Sequence, residues 1–424
     1  MFDSIAHDGV KRPGTREMTA LLAALMGLNS FAIDAMIPAL PAIGRSLHVL
    51  DENQRQLVVI AYFLGFASTQ LLWGPLADRF GRKPVLASGI ALYGIFAVLC
   101  ALSGSFPVLI ASRVGMGASA AVTRVLVVAM VRDLFEREAM ARVMSLVFMV
   151  FMLMPVLAPN IGVAILLVAP WQAIFAALAV YALMMLGWSW ARLPETLHPD
   201  YRRPLRLGDM AGAICRTVRE PLSRGYTIAM TISFSALVAY IASIQQIVFD
   251  AFHEGRLIGL VFAAIAAPMA VASWANSRVV GRFGLRRVGH SASVAFMAVA
   301  LIHLGVALSG RETLLLFVIL QGLTMCAFAF TSSNFGTLAM EHMAAIAGTA
   351  SSVQGMLGTI GASLIGYAIG RAFDGTILPY VIGTAVCATG GFIAVILTEP
   401  RNLFAHIDTQ EDEPLLPSIP EEVA

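Results

Sequence analysis

The sequence predicts an all-α polytopic membrane protein with twelve transmembrane helices in two pseudo-symmetric six-helix bundles. Of its 424 residues, 58% are hydrophobic and only 13% are charged, and the mean hydropathy is +0.80. Soluble domains contain about 25% charged residues. Apolar segments of about 20 residues, the length that crosses the hydrocarbon core of a bilayer, recur along nearly the whole chain.

The longest polar interruption separates six apolar segments from six more. We expect a cytoplasmic N-terminus at 1–18, an N-terminal bundle at 19–191, a cytoplasmic linker at 192–224, a C-terminal bundle at 225–398 and a disordered cytoplasmic tail at 399–424. The first apolar run is too long for the core of a signal peptide, so we expect it to remain as the first helix. The predicted spans are 19–43, 55–77, 84–103, 107–131, 143–168, 171–191, 225–249, 257–280, 288–309, 313–336, 344–371 and 376–398.

The distribution of Lys and Arg among the loops predicts the orientation. Segments on the side of the N-terminus contain 21 of them, and the loops on the other side contain 5. Because basic residues concentrate in cytoplasmic loops, both termini are expected in the cytoplasm, with the chain in the inner (plasma) membrane. A net charge of +2 gives no reason to expect nucleic acid. The chain shows no enzyme signature and no Cys/His metal-ligand spacing, so we expect neither an enzyme nor a cofactor.

The linker contains a candidate surface helix at 208–219. Met210, Ile214 and Val218 recur every four residues, with Arg216 and Arg219 nearby to meet anionic lipid headgroups. An ordinary basic linker is an equally good interpretation of the same residues.

A charged stretch, "GPLADRFGRKPVL" at 74–86, joins the second and third spans. Asp78 closes the second span, and Gly81 permits a tight reversal. The second half contains a matching stretch, because "RFGRK" at 79–83 aligns with "RFGLR" at 282–286, 203 residues later. The repeat predicts two homologous halves in parallel orientation. Gly281 stands where the first copy has Asp78, so the acid is not needed to set topology.

Asp34 is the one acid that lies well inside a predicted span. A carboxylate in mid-membrane costs roughly 2.5–3.5 kcal/mol and is by default a functional residue. Pro38 cannot donate to the carbonyl of residue 34, so the helix should bend beside the acid. Since burial disfavours the charged form, Asp34 is a candidate proton carrier. The alternative is a structural acid paired with a neighbouring helix.

Several stretches together carry a resemblance to a known family. The 74–86 stretch resembles the signature of the major facilitator superfamily. The rest of the chain resembles the drug/proton antiporter branch, and most of all its bicyclomycin/chloramphenicol-resistance (Bcr/CflA) subfamily. The stretches that carry this second resemblance are "IDAMIPALPAI", "ASRVGMGASAA", "MPVLAPNIG", "PETLHPDYRRP", "NSRVVGRFG" and "SSNFGTLAM…AGTASSVQG".

The resemblance implies roles for particular residues. Asp34 and Arg113 are implied in proton coupling, although Arg113 is also compatible with a snorkelling side chain. Arg124 lies deeper in the same span and is given no role by the resemblance. A conformational latch, motif A, is implied for Gly74, Asp78, Arg79, Gly81, Arg82, Lys83 and Asp133.

Within this latch the resemblance places Asp78 against the N-terminus of the eleventh span, where the helix dipole favours a carboxylate. Arg82 is close enough in sequence to pair with Asp78, and Asp133 is its other candidate partner. A role for the bases as topology signals alone is the alternative. The fifth span resembles the antiporter motif at Pro155, Pro159 and Gly162, with Val163 in place of the usual second glycine.

The expected activity is proton-coupled efflux of small amphipathic compounds by alternating access, in a monomer whose partners are its substrate, protons and the lipid bilayer. Few polar groups among many apolar ones suit an uncharged or monocationic compound better than a sugar or a polyanion. Two alternatives remain: a proton-linked transporter of a natural metabolite such as an amino acid, and a receptor or scaffold that transports nothing. Candidate cavity residues are Tyr240, Gln245, Asn334 and Gln354.

Overall fold

We describe the protein from a computed structural model, which covers residues 14–404 except 199, 201, 203–206, 344 and 345. The described chain is helical throughout its spans and contains no strand. Its α-helices are α1 (Thr15–Asp34), α2 (Leu40–Ser46), α3 (Leu57–Phe80), α4 (Arg82–Ala101), α5 (Phe106–Leu134), α6 (Arg137–Leu166), α7 (Gln172–Arg192), α8 (Leu207–Arg219), α9 (Pro221–Gln246), α10 (Ile258–Phe283), α11 (Leu285–Leu308), α12 (Leu314–Leu338), α13 (Ala347–Arg371) and α14 (Leu378–Thr398).

The helices reproduce the predicted spans in order. Among the described residues, 11 helical segments are long and apolar enough to cross a membrane, with α1 and α2 counting as one segment from Thr15 to Ser46. The remaining predicted span is α6, which has 30 residues and a described apolar part from Leu153 to Leu166. The predicted all-α fold of membrane-spanning helices is therefore confirmed.

The first span is interrupted where the sequence predicts it. α1 ends at Asp34, a short turn of 3-10 helix follows at Ile37–Ala39, and α2 starts at Leu40. Pro38 lies within this turn and is buried. Because proline cannot donate a backbone hydrogen bond, the regular helix stops beside the acid.

Helix packing shows the internal symmetry. In the N-half (α1–α7), α1 packs against α6, α3 against α5, and α4 against α7. In the C-half (α9–α14), the equivalent pairs are α9 with α13, α10 with α12, and α11 with α14. The repeated turns also match, since Gly81 has φ 100° and Gly284, 203 residues later, has φ 80°. Both values favour glycine. The sequence repeat is therefore a structural repeat.

The two halves meet along α3 with α13 and along α6 with α10. We call the end of the bundle that carries Gly81 and Gly284 the basic end, and the other the opposite end. Near the opposite end the tip of the first span enters the C-half, where Ile37 joins an apolar cluster with Tyr240 and Ile244. The break after Asp34 thus lies at the junction of the halves.

The predicted helix of the linker is present as α8, which packs against α13 and the start of α9. Ala213 and Thr217 are buried in this packing, whereas Val218 is exposed. α8 is therefore held by the C-half through its own buried face. The side chain of Met210, the N-terminal segment 1–13 and the tail from 405 onward lie outside the described residues.

Candidate functional site

Asp34 is buried at the end of α1, with 3% of its surface exposed. Its carboxyl group makes no hydrogen bond or ion pair with any residue that the structure describes. Three residues further along, Ile37 packs in an apolar cluster with Tyr240 of the C-half. An acid without a fixed partner at the junction of two halves can gain and lose a proton without breaking a salt bridge.

Arg113 is completely buried beneath the same stretch of the first span. Its Nε donates to the carbonyl oxygen of Val58 (2.9 Å) and its Nη1 to that of Ala32 (3.1 Å). The guanidinium also lies over the ring of Tyr62, 4.6 Å from its centroid. The structure therefore brings Arg113 to the backbone two residues before Asp34, without an ion pair between the two side chains.

Asn29 joins α1 to its neighbours next to this pair. Its Nδ2 donates to Thr123 Oγ1 (2.8 Å), and its Oδ1 accepts from the hydroxyl of Tyr62 (2.9 Å). Tyr62 therefore contacts Arg113 with its ring and Asn29 with its hydroxyl. This polar layer positions the end of α1.

Motif A forms a network inside the N-half. Arg82 pairs with both candidate partners, Asp133 (2.7 Å) and Asp78 (3.4 Å). Asp133 also accepts a hydrogen bond from the hydroxyl of Thr196 (2.9 Å). Gly74 lies against Val125 of α5. The network thus joins the end of α3 to the ends of α5 and α7.

The remaining residues of motif A define the start of α4. Glu195 accepts hydrogen bonds from the backbone N–H groups of Arg82 (2.9 Å) and Lys83 (3.2 Å). A carboxylate in this position satisfies free N–H groups of the helix and complements its dipole. Lys83 lies over the ring of Trp190 and Arg79 over that of Phe80. Glu195, which sequence reasoning missed, is the cap of this loop.

The antiporter motif packs against the site. α6 continues through Pro155 and Pro159. A methyl group at Gly162 would overlap the carbonyl oxygen of Ala35, the residue after Asp34. Asn160 donates to the carbonyl oxygen of Gly259 in the C-half (3.2 Å). This part of α6 therefore contacts both the break in the first span and the other half.

The four candidate cavity residues are all buried. Asn334 donates to Asn276 Oδ1 (2.8 Å), and Gln354 donates to Ser223 Oγ (2.8 Å), so both connect helices within the C-half. The Tyr240 hydroxyl and the Gln245 amide are buried without a hydrogen-bond partner in the described structure. Asn334 also keeps its Oδ1 without a partner among the described residues, so three of the four candidates retain a free polar group for another contact.

Hydrogen bonds between the halves lie at the opposite end. Asn53 donates to the carbonyl oxygens of Arg371 (3.0 Å) and Phe373 (2.9 Å). Gln56 donates to the carbonyl oxygen of Gly370 (2.9 Å) and to Gln246 Oε1, while Gln246 donates to Asn53 Oδ1 (2.7 Å). We call Asn53, Gln56 and Gln246 the amide clasp. With Asn160, they make every hydrogen bond between halves among the described residues, so this conformation is closed at the opposite end.

Comparison with known proteins identifies the family. A family model for the Major Facilitator Superfamily matches residues 21–366. The chain belongs to the Major Facilitator Superfamily. It is therefore a membrane transporter, and the resemblance found in its motifs is confirmed.

Curated relatives of this superfamily member cover most of its length. A bicyclomycin resistance protein homolog from Haemophilus influenzae is 29% identical over 397 residues, which are 90% of this chain and 96% of the relative. Multidrug resistance protein MdtL from Escherichia coli is 29% identical over 346 residues, 80% of this chain and 85% of MdtL. An uncharacterized MFS-type transporter from Bacillus subtilis, YdgK, is 28% identical over 369 residues, 85% of this chain and 90% of YdgK.

Solved structures of the superfamily share the fold. A D-xylose–proton symporter aligns with a TM-score of 0.71 at 15% identity, covering 89% of this chain and 96% of the symporter. The human organic anion transporter MFSD10 aligns with a TM-score of 0.64 at 17% identity, covering 91% of this chain and 99% of MFSD10. At these identities the comparison establishes the architecture of this transporter.

Proposed function

We propose that this transporter exports small amphipathic compounds, including antibiotics, across the inner membrane in exchange for protons. The observation that carries the proposal is Asp34, a buried acid without a fixed partner at the junction of the halves. The relatives named for resistance to bicyclomycin and to multiple drugs support the substrate class. The chain works as a monomer, since it contains both halves.

Both termini and the basic end face the cytoplasm in this proposal, because basic residues concentrate in those loops. The bundles at 19–191 and 225–398 then rock about the linker at 192–224. The described conformation, closed by the amide clasp, is the one that receives substrate from the cytoplasm. Motif A controls the closing and reopening of the basic end during the cycle. In this change Arg82 shifts its ion pair between Asp78 and Asp133.

The proton moves through Asp34. Protonation from the periplasm accompanies release of the compound, and loss of the proton to the cytoplasm prepares the site for the next one. Arg113 holds the backbone next to Asp34. Tyr240 and Gln245 supply polar groups from the C-half for contact with the substrate. One proton moving through about 150 mV releases about 3.5 kcal/mol, enough for a gradient of roughly a few hundredfold.

The test replaces Asp34 with Asn, which keeps size and polarity but cannot titrate. Asp34→Asn protein in liposomes should bind substrate and lose proton-driven efflux by at least a factor of ten. Glu17→Gln is a control, because Glu17 is an acid at the other end of the same helix, bound to Arg192. Efflux that follows the pH gradient equally well in Asp34→Asn and in the unmodified protein would rule the proposal out.

A further inference from the structure

Arg124 is a charged residue of α5 that has no ionic partner among the described residues. It lies in the middle part of α5, yet its side chain is exposed. No described residue forms a hydrogen bond or an ion pair with it. The contrast with Arg113 is direct, since the Arg113 guanidinium is fully buried and bonded to two carbonyl oxygens. An arginine at this depth is tolerated where it meets water or a ligand.

The direction of the side chain follows from the packing of α5. Arg113 and Arg124 are eleven residues apart, three turns of helix, and so share one face. On that face Gly117 packs against the backbone of Tyr62 in α3, and Ala120 accepts from Asn29 of α1. α4 packs on the other side of α5, where Gly89 of α4 lies against Val122. Arg124 therefore points between α1 and α3, towards the centre of the molecule.

At the basic end, no hydrogen bond joins the two halves among the described residues. α3 meets α13 of the C-half and the short turn after α1 meets α9, so the two helices that flank Arg124 lie next to the C-half. The amide clasp closes the other end. An exposed residue on this inward face of α5 lines a space between the helices rather than a packed contact.

Asp34 lies further from the basic end in the same interior. Asn29, which bonds to Thr123 beside Arg124, precedes Asp34 by five residues. At a rise of 1.5 Å per residue, the two charged residues are separated along the axis by on the order of 10 Å. A compound entering from the basic end therefore meets the permanent cation before it reaches the acid.

We propose that Arg124 is a substrate-recognition residue that binds a carboxylate or a similar anionic group of the exported compound. A guanidinium is always charged and presents a planar fork of donors that matches a carboxylate with two hydrogen bonds. The proposal deepens the proposed function and rests on it. It extends the expected substrates from uncharged and monocationic compounds to amphipathic anions and zwitterions.

The experiment compares two dyes that share one ring system, dansylglycine with its carboxylate and dansylamide without it. Binding to the purified full-length protein is measured by fluorescence at one pH. The unmodified protein should bind dansylglycine more tightly than dansylamide. Arg124→Gln should weaken the binding of dansylglycine at least tenfold and change the binding of dansylamide by less than twofold. Arg124→Lys should retain part of the preference, because it keeps the charge and loses the fork.

Arg311→Gln is the matched control, because it removes one exposed arginine from a loop at the opposite end. It should leave both dyes unchanged. A thermal melt of each variant separates loss of the site from loss of the fold, and Arg124→Lys serves if Arg124→Gln does not fold. Equal binding of the two dyes by the unmodified protein overturns the inference. So does an equal loss of both dyes, or of neither, in the Arg124 variants.

The result is independent of the test of proton coupling. If the protein binds dansylglycine through Arg124 but shows no proton-driven efflux, the recognition site is supported and the proposed function is contradicted. If proton-driven efflux depends on Asp34 but dye binding does not depend on Arg124, the proposed function is supported and the recognition site is contradicted.

Discussion

Arg113 is a permanent charge with no solvent exposure, held by two backbone carbonyl oxygens and the ring of Tyr62. Removing a charge from water costs several kcal/mol even in a relaxed protein. Hydrogen bonds from a charged donor return about 1.5–3 kcal/mol each. The desolvation cost of the guanidinium and the free energy that its hydrogen bonds contribute are similar in size. The stability of the fold therefore gives little reason for an arginine at this position.

We therefore expect Arg113→Met to melt within a few degrees of the unmodified protein while proton-driven efflux falls at least tenfold. Methionine keeps the apolar bulk and removes the charge. Melting of the purified protein and transport in liposomes are measured together, with Arg311→Met as the control. A large fall in melting temperature, in proportion to lost transport, would mean that Arg113 acts only in the structure.

At the scale of the helices, α6 and the first span pack with their backbones in direct contact. A methyl group at Gly162 would overlap the carbonyl oxygen of Ala35. The obstacle is backbone, not the end of a flexible side chain, so the helices have to separate. Because interiors are close-packed, such overpacking typically costs about 1–3 kcal/mol. The contact lies beside Asp34, where the separation also alters the junction of the halves.

Gly162→Ala should lower the melting temperature by several degrees and impair efflux. Gly187→Ala, in α7, is the matched control because nothing lies within 4 Å of its added methyl group. That variant should be neutral or slightly stabilising, since alanine favours a helix over glycine. Equal melting of Gly162→Ala and Gly187→Ala would show that the α1–α6 contact is not as tight as described.

At the scale of the whole molecule, the amide clasp biases the balance between the two conformations. Gln246 both donates to Asn53 and accepts from Gln56, so its removal breaks two bonds between the halves. A neutral hydrogen bond contributes about 0.5–1.5 kcal/mol, and each 1.4 kcal/mol changes a population ratio tenfold. The alternative conformation, open at the opposite end, should gain accordingly.

Gln246→Ala should therefore lengthen the distance between spin labels at Leu50 and Glu254, two exposed loop positions in different halves at the opposite end. Labelling requires a background without the accessible Cys215 and Cys326. Gln354→Ala is the control, because Gln354 makes its bonds within the C-half. A distance distribution unchanged by Gln246→Ala, or changed equally by Gln354→Ala, would contradict the role of the clasp.

The sequence alone predicted the order of the spans, the repeat of the halves and the break beside Asp34. These features depend on local properties: the length of apolar runs, the fixed geometry of Pro38, and glycines whose φ of 100° and 80° suits few other residues. Each of these features is set by neighbours along the chain. Asp133 pairs with Arg82 from a distant part of the sequence, and only the resemblance named it.

The tertiary structure decided which polar groups are satisfied and which are free. Arg113 is bonded to backbone carbonyls of Ala32 and Val58, which no side-chain pattern reveals. The sequence marks Gln354 as available, but its amide is bonded within the C-half, whereas Arg124, which the sequence gives no role, is exposed and has no partner among the described residues. Apolar periodicity predicts that a helix is buried, but not which neighbour lies opposite each residue, because helices far apart in the chain set those contacts.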